Sequence, residues 1–182
     1  PEGKLHIYTG DASIAPSPLA DELVVEGAGS TGISILTPND QVGRLYFGDS
    51  DNAARAYLLY DHSVDMMKFS VASGNKMVID NAGKVGIGTD SPETLLHLKS
   101  TDPSKPVLKI ENEQGGSNPV AIHLLRDTSS PADDDFIGDI HFRSMNDAGT
   151  PEEVLYAYIT ALSTDITDGT EDGELQFHTM KS

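Results

Sequence analysis

The side chains best suited by type to do chemistry in this chain are acids, gathered in three short clusters. Asp49, Asp51 and Asn52 form one, Asp133, Asp134 and Asp135 a second, and Asp165, Asp168, Glu171 and Asp172 a third. A hard cation such as calcium takes several oxygen ligands from one flexible loop, and each cluster has oxygens to offer. None follows the twelve-residue spacing of an EF-hand or the glycine-rich nonapeptide period of a calcium-binding β-roll. Solvated turns are the expected role, and no metal ligand is assigned. Two carboxylates at the right separation can also cleave a glycosidic bond, one as acid and the other as base or nucleophile. With 29 acids in the chain, however, chance pairs are inevitable, and there is no Trp to form a sugar platform.

The other reactive types carry still less. Six histidines, His6, His62, His97, His123, His141 and His178, are spread along the chain, and five of them sit within apolar runs. There, alternation places them opposite the buried side chains or along an axis between copies, and no His-x-His pair occurs. Gly83, Gly86 and Gly88 suggest a phosphate-cradling loop, but no Gly-Lys-Ser/Thr follows them, and a dinucleotide site needs a third glycine and a helix. Turns and tight packing account for them more simply. The chain has no Cys and no Gly-x-Ser-x-Gly, so nucleophilic triads lack their central residue. No catalytic, cofactor-binding or metal-binding residue is assigned, and a non-enzymatic role is expected.

The elements that would position any of these residues read as strands. Apolar residues alternate at period two in Leu5 and Ile7, Leu23 and Val25, Ile33 and Ile35, Leu45 and Phe47, Ala56, Leu58 and Tyr60, and Met67, Phe69 and Val71. Turn formers separate them at 27–32, 38–40, 49–52, 73–75 and 81–83. Two stretches, 53–59 and 151–162, have some helical character. The first is too short, and the second alternates Val154, Tyr156, Tyr158 and Thr160, so both are expected as strand. The predicted fold class is therefore all-β, built from serial short strands.

Composition agrees with that reading and removes several functions. Of 182 residues, 37% are hydrophobic and only 6% aromatic, while 17 Gly and 10 Pro are scattered rather than concentrated in a linker. No apolar run approaches 18 residues, so no membrane insertion is expected, and the start lacks a signal-peptide pattern. A chain that opens on Pro rather than Met reads as a piece of something longer. The formal charge of −17 repels nucleic acid and anionic lipid, which excludes nucleic-acid partners. Without Cys, stability must come from packing within the chain and between copies.

The chain also repeats itself. Leu23-Val24-Val25-Glu26, Ile33-Ser34-Ile35-Leu36, Val42-Gly43-Arg44-Leu45-Tyr46-Phe47 and Ala56-Tyr57-Leu58-Leu59-Tyr60 are followed by a second series of similar segments. That series is Leu108-Lys109-Ile110-Glu111, Ala121-Ile122-His123-Leu124, Ile137-Gly138-Asp139-Ile140-His141-Phe142 and Tyr156-Ala157-Tyr158-Ile159. Met67-Lys68-Phe69 and Leu175-Gln176-Phe177 close the two series. The predicted organisation is an N-terminal strand and linker at 1–20, a first β module at 21–80, a connecting segment at 81–106 and a second β module at 107–182. Serial repeats favour a stacked rod. Short strands with no helix to cover them leave open edges and faces, which threefold self-association would remove.

Two strings resemble a known family. Residues 81–92 (NAGKVGIGTDSP), followed by Leu95-Leu96-His97-Leu98, resemble a segment of bacteriophage tail fibres and tailspikes that often lies upstream of an intramolecular chaperone domain. Residues 137–142, continued by 156–159 and 168–177, are similar to another repeat of such fibres. The resemblance covers about half of the chain and contains no catalytic motif. It implies an intertwined homotrimeric fibre located on the virion and outside the cell, with other virion proteins and host surface polysaccharide as partners. No chaperone domain is recognisable. A glycan-cleaving tailspike domain and a bacterial surface adhesin are the alternatives.

Overall fold

The computed structural model describes residues 5–103, 108–113, 115–117 and 119–181. The protein is all-β: eleven strands and no helix occur among the described residues. They fall into two compact units, Pro1–Lys109 and Ile110–Ser182.

The first unit begins with a parallel pair, β1 (Leu5–Tyr8) and β2 (Leu23–Glu26). Glu26 ties down the connection between them. Its backbone carbonyl accepts from the Thr9 hydroxyl at 3.0 Å, its Oε1 accepts from the Ala12 N–H at 2.8 Å, and its Oε2 lies 2.8 Å from His6 Nε2. A six-stranded sheet follows in chain order: β3 (Val42–Phe47), β4 (Ala56–Asp61), β5 (Met66–Val71), β6 (Asn75–Ile79), β7 (Val85–Ile87) and β8 (Leu96–Leu98). All its pairs are antiparallel except β7 with β8. The segment expected as a connector thus contributes β7 and β8 to this sheet. The boundary expected at 106/107 lies outside the described residues.

Local chemistry explains where the strands stop. Asp49 Oδ1 accepts the backbone N–H groups of Asp51 and Asn52, closing the turn after β3. Asp61 Oδ1 takes both the N–H and the hydroxyl of Ser63. Ala72 and Ser73 both have positive φ, the backbone of a tight hairpin whose twist matches the flanking strands. Asp80 Oδ1 accepts from the N–H groups of Ala82 and Lys84 around Gly83, whose φ is +76°. Side chains that bond their own backbone two to four residues on make reversals without help from the rest of the fold.

The second unit is a three-stranded antiparallel meander of longer strands, β9 (Asp135–Met145), β10 (Glu153–Asp165) and β11 (Asp172–Thr179), with β10 in the middle. Asn146 Oδ1 closes its first turn by accepting from Ala148 and Glu152, and Asp165 Oδ1 begins the second by accepting from Thr167.

Of the two stretches with helical character, residues 56–59 lie in β4 and 153–162 in β10, while 53–55 belong to the turn before β4. Three expected strands do not form: among the described residues, 33–36, 108–111 and 121–124 are not strand. The alternation is real, but a strand also needs a neighbour to take its backbone hydrogen bonds, and for 33–36 and 121–124 none lies alongside among the described residues.

Very little is buried. Among the described residues the buried apolar side chains are Leu59, Val78, Pro92 and Leu162, with Ser70 and Thr160 as buried polar ones. The chain exposes 14358 Å² in all. Two independent globules of its two unit sizes would together expose about 10,000 Å².

Candidate functional site

Because opposite residues in a sheet share a face and neighbours alternate, the strand register sorts every side chain. In the first unit Gly43, Tyr60, Met67, Ile79 and Val85 form one row. Two residues along, Leu45, Leu58, Phe69, Met77 and Ile87 form the next, and then come Phe47, Ala56 and Val71. This face carries no charge.

The second meander has the same rows. Gly138, Ala161 and Leu175 lie across from one another, then Ile140, Ile159 and Phe177, then Phe142, Ala157 and Thr179. Again no charged side chain appears. The repeat seen in the sequence therefore becomes a match of register: Leu45, Leu58 and Phe69 occupy the places of Ile140, Ile159 and Phe177.

These faces lie open. Phe47 is 58% exposed, Phe142 52% and Phe177 72%, and Leu45, Phe69, Val71, Ile140 and Leu175 are also exposed. On the first sheet a shallow apolar hollow of about 310 Å³ runs along Ile35, Leu45, Leu58, Tyr60 and Met67. A second, of about 160 Å³, lies among Phe47, Ala56, Phe69 and Val71. Exposed apolar side chains gathered on one face are the material from which interaction sites are built.

One feature of the apolar faces was not legible in the residue pattern. A Cβ on Gly43 would stand 3.2 Å from Ile35 Cγ2, and a Cβ on Gly138 would stand 3.2 Å from both Cβ and Cδ1 of Leu124. In each unit, then, an aliphatic side chain from the extended segment before the meander sits on a glycine of its first strand. This sets Ile33-Ser34-Ile35-Leu36 against Ile122-His123-Leu124-Leu125, one residue away from the alignment that sequence alone suggested. A shared glycine followed by matching strands was the available signal, but the seat itself needs coordinates.

The opposite faces are polar and partly covered. In the first unit Leu59 and Val78 share that face with Arg44 and Lys68, and Lys68 Nζ donates to Asp61 Oδ2 at 2.9 Å. The Asp61 carboxyl is held down to a pKa of about 2 by the Ser63 hydroxyl first and Lys68 second. The crossover from β7 to β8 lies over this face. A Cβ on Gly86 would meet both the Thr89 carbonyl and Val78 Cγ2, and Pro92 is buried. Ser70 donates to Asn75 Oδ1 at 2.6 Å, and Asn75 Nδ2 donates to Asp90 Oδ2 at 3.1 Å, so the buried hydroxyl is satisfied. In the second unit this face carries an aromatic row: Tyr158 stacks on His178 at 4.2 Å and meets His141 edge-on at 5.9 Å.

Four of the acids singled out for chemistry, Asp49, Asp133, Asp135 and Asp165, bond backbone N–H groups at turns. Asp49 Oδ2 pairs with Arg55 at 3.4 Å, and Asp133 Oδ1 accepts from the Ile166 N–H at 3.0 Å. Asp135 pairs with Arg126 and accepts from Ala132, which lowers its pKa, Arg126 being the larger cause. The bond from Thr167 lowers that of Asp165 in the same way. Among the described residues no three His, Asp or Glu side chains converge on a point that would hold a metal. Of the histidines, His141 and His178 come together, flanking Tyr158. Gly83 lies in the β6–β7 turn, Gly86 within β7, and Gly88 just beyond it, where a side chain would run into the Lys99 carbonyl.

Compared with protein-family models, with curated proteins and with solved structures, the chain matches none. The arrangement itself therefore carries the functional reading: two uncharged, exposed sheet faces of the same register, and no convergent reactive group among the described residues.

Proposed function

We propose that this chain is a structural segment of a homotrimeric virion fibre that supports attachment to a host surface. The observation that carries the reading is the pair of open apolar faces. A chain that exposes 14358 Å², where two globules would expose about 10,000 Å², has roughly 4,000 Å² left for partners. That falls within the range of obligate interfaces, about 2,000–5,000 Å². A partner copy suits the charge as well. At −17 the chain repels itself wherever acids face acids, and the two faces free of charge are the surfaces where copies can meet. Closed threefold symmetry lets each copy offer such a face to its neighbours without leaving an open end that would grow into a filament. Host surface polymer is the target this reading assigns to the exposed acidic turns and loops.

Size exclusion coupled to light scattering tests the proposal. The expected mass is three times 19.4 kDa. A mass of 19.4 kDa across the micromolar range removes the premise.

A further inference from the structure

The two extended segments that seat Ile35 on Gly43 and Leu124 on Gly138 are alike in a second respect. Residues 33–36 and 121–125 make no backbone hydrogen bond within the described chain. Their apolar side chains point outward all the same: Leu36 is 89% exposed and Leu125 84%, and Ile33 and Ile122 are both strongly exposed. Backbone that is extended, alternating in apolar character and without partners is the form of a strand whose neighbour is missing.

The strands that follow these segments have the complementary want. β3 is the outer strand of the six-stranded sheet and β9 the outer strand of the meander, so each leaves one row of N–H and C=O groups open. Both units thus present the same two unfilled rows, an extended segment and the edge of the strand after it. A repeated want calls for a repeated partner. A second copy of this chain has both parts in both units, and the surplus area above is of the size a permanent assembly buries.

We infer that residues 33–36 and 121–125 become strands only in the assembly, each segment of one copy adding to the open β3 or β9 edge of the next. The glycine seats hold the segments at the meanders in an extended shape, which lowers the ordering entropy that strand addition must overcome. Passing from copy to copy around a ring, such pairing closes after three additions in a trimer and occupies the β3 and β9 edges of every copy. The inference rests on the homotrimer proposed above and adds to it the backbone that joins the copies.

Amide hydrogen exchange on the full chain, measured beside its mass in solution, tests this. The expected result is a mass of three times 19.4 kDa, with the amides of 33–36 and 121–125 exchanging at least ~100-fold more slowly than an unstructured peptide. A trimer in which these amides exchange at the unstructured rate overturns the strand assignment and leaves the fibre reading standing. A monomer overturns both. The double variant Leu36→Asp/Leu125→Asp gives a second readout, because side chains this exposed have almost nothing to lose in the isolated chain. The expected effect is at least a tenfold rise in the protein concentration at which the trimer dissociates. An unchanged value rejects the inference.

Discussion

In the first unit the apolar strip of Leu45, Leu58 and Phe69 runs on through Met77 to Ile87, whereas the matching strip of the second unit ends at Phe177 on an edge strand. Behind the first strip, the β7–β8 crossover covers the polar face and buries Val78. Behind the second lie Thr160 and Leu162 with the open row of His141, Tyr158 and His178. The same apolar face is thus carried on two supports. One has gained three extra strands and a small core of its own, and the other has instead lengthened its strands. The face common to both is the part that the proposed association needs, and under that proposal the supports are free to differ.

Breaking the shared face should have the largest effect. Phe47→Asp and Phe142→Asp each place a charge where the proposal puts an interface, and an unpaired buried charge costs several kcal/mol. Either variant is expected to shift the mass from three times 19.4 kDa toward 19.4 kDa. A trimer of normal stability from both variants would end the equivalence of the two faces.

The supports should respond differently at one matched position. Leu59 and Thr160 are both buried, at corresponding places in β4 and β10. Leu59→Ala removes apolar packing and should cost about 2–4 kcal/mol in chemical denaturation. Thr160→Val should do the reverse. The Thr160 Oγ1 is buried without a hydrogen-bond partner, so replacing it with a methyl group of the same shape should raise stability by about 1 kcal/mol.

The seats should respond alike. Gly43→Val and Gly138→Val both force an aliphatic side chain off its glycine, at a cost of roughly 1–3 kcal/mol from overpacking. A marked difference between the two would show that only one segment is held by its seat.

A smaller effect separates the units by pH. Asp61 is lowered from 3.8 to about 2 by Ser63 and Lys68, so its contribution is whole above 3.8 and disappears as the pH falls through about 2. Melting temperature followed from pH 5 to pH 2 should therefore fall less steeply in Asp61→Asn than in the parent chain. Part of the slope should remain, because Asp135 and Asp165 of the second unit are also lowered. Chelation should have the smallest effect of all. Because the acidic side chains Asp49, Asp133 and Asp135 already cap turns or pair with arginine, excess chelator is expected to leave the melting temperature unchanged. A large drop would return calcium to the acidic loops.

Residue order alone settled the all-β class, the places of most strands and the existence of a repeat. These are local matters: alternation at period two states which side chains are apolar together, and Asp, Asn, Ser and Gly make reversals with their own backbone. It also placed Phe47 and Phe142 at matched positions, since both close the same glycine-bearing strand. It did not find β6, nor β7 and β8, which at three residues each are too brief for alternation to stand out, nor the burial of Val78 beneath a crossover. Nor could it tell a paired strand from the extended residues 33–36 and 121–125, because the apolar pattern is the same whether or not a neighbour lies alongside. Pairing, face and edge depend on residues distant in sequence meeting in one register. Only the tertiary structure decided that Ile35 rests on Gly43 and Leu124 on Gly138, and that the strands behind them end in open edges.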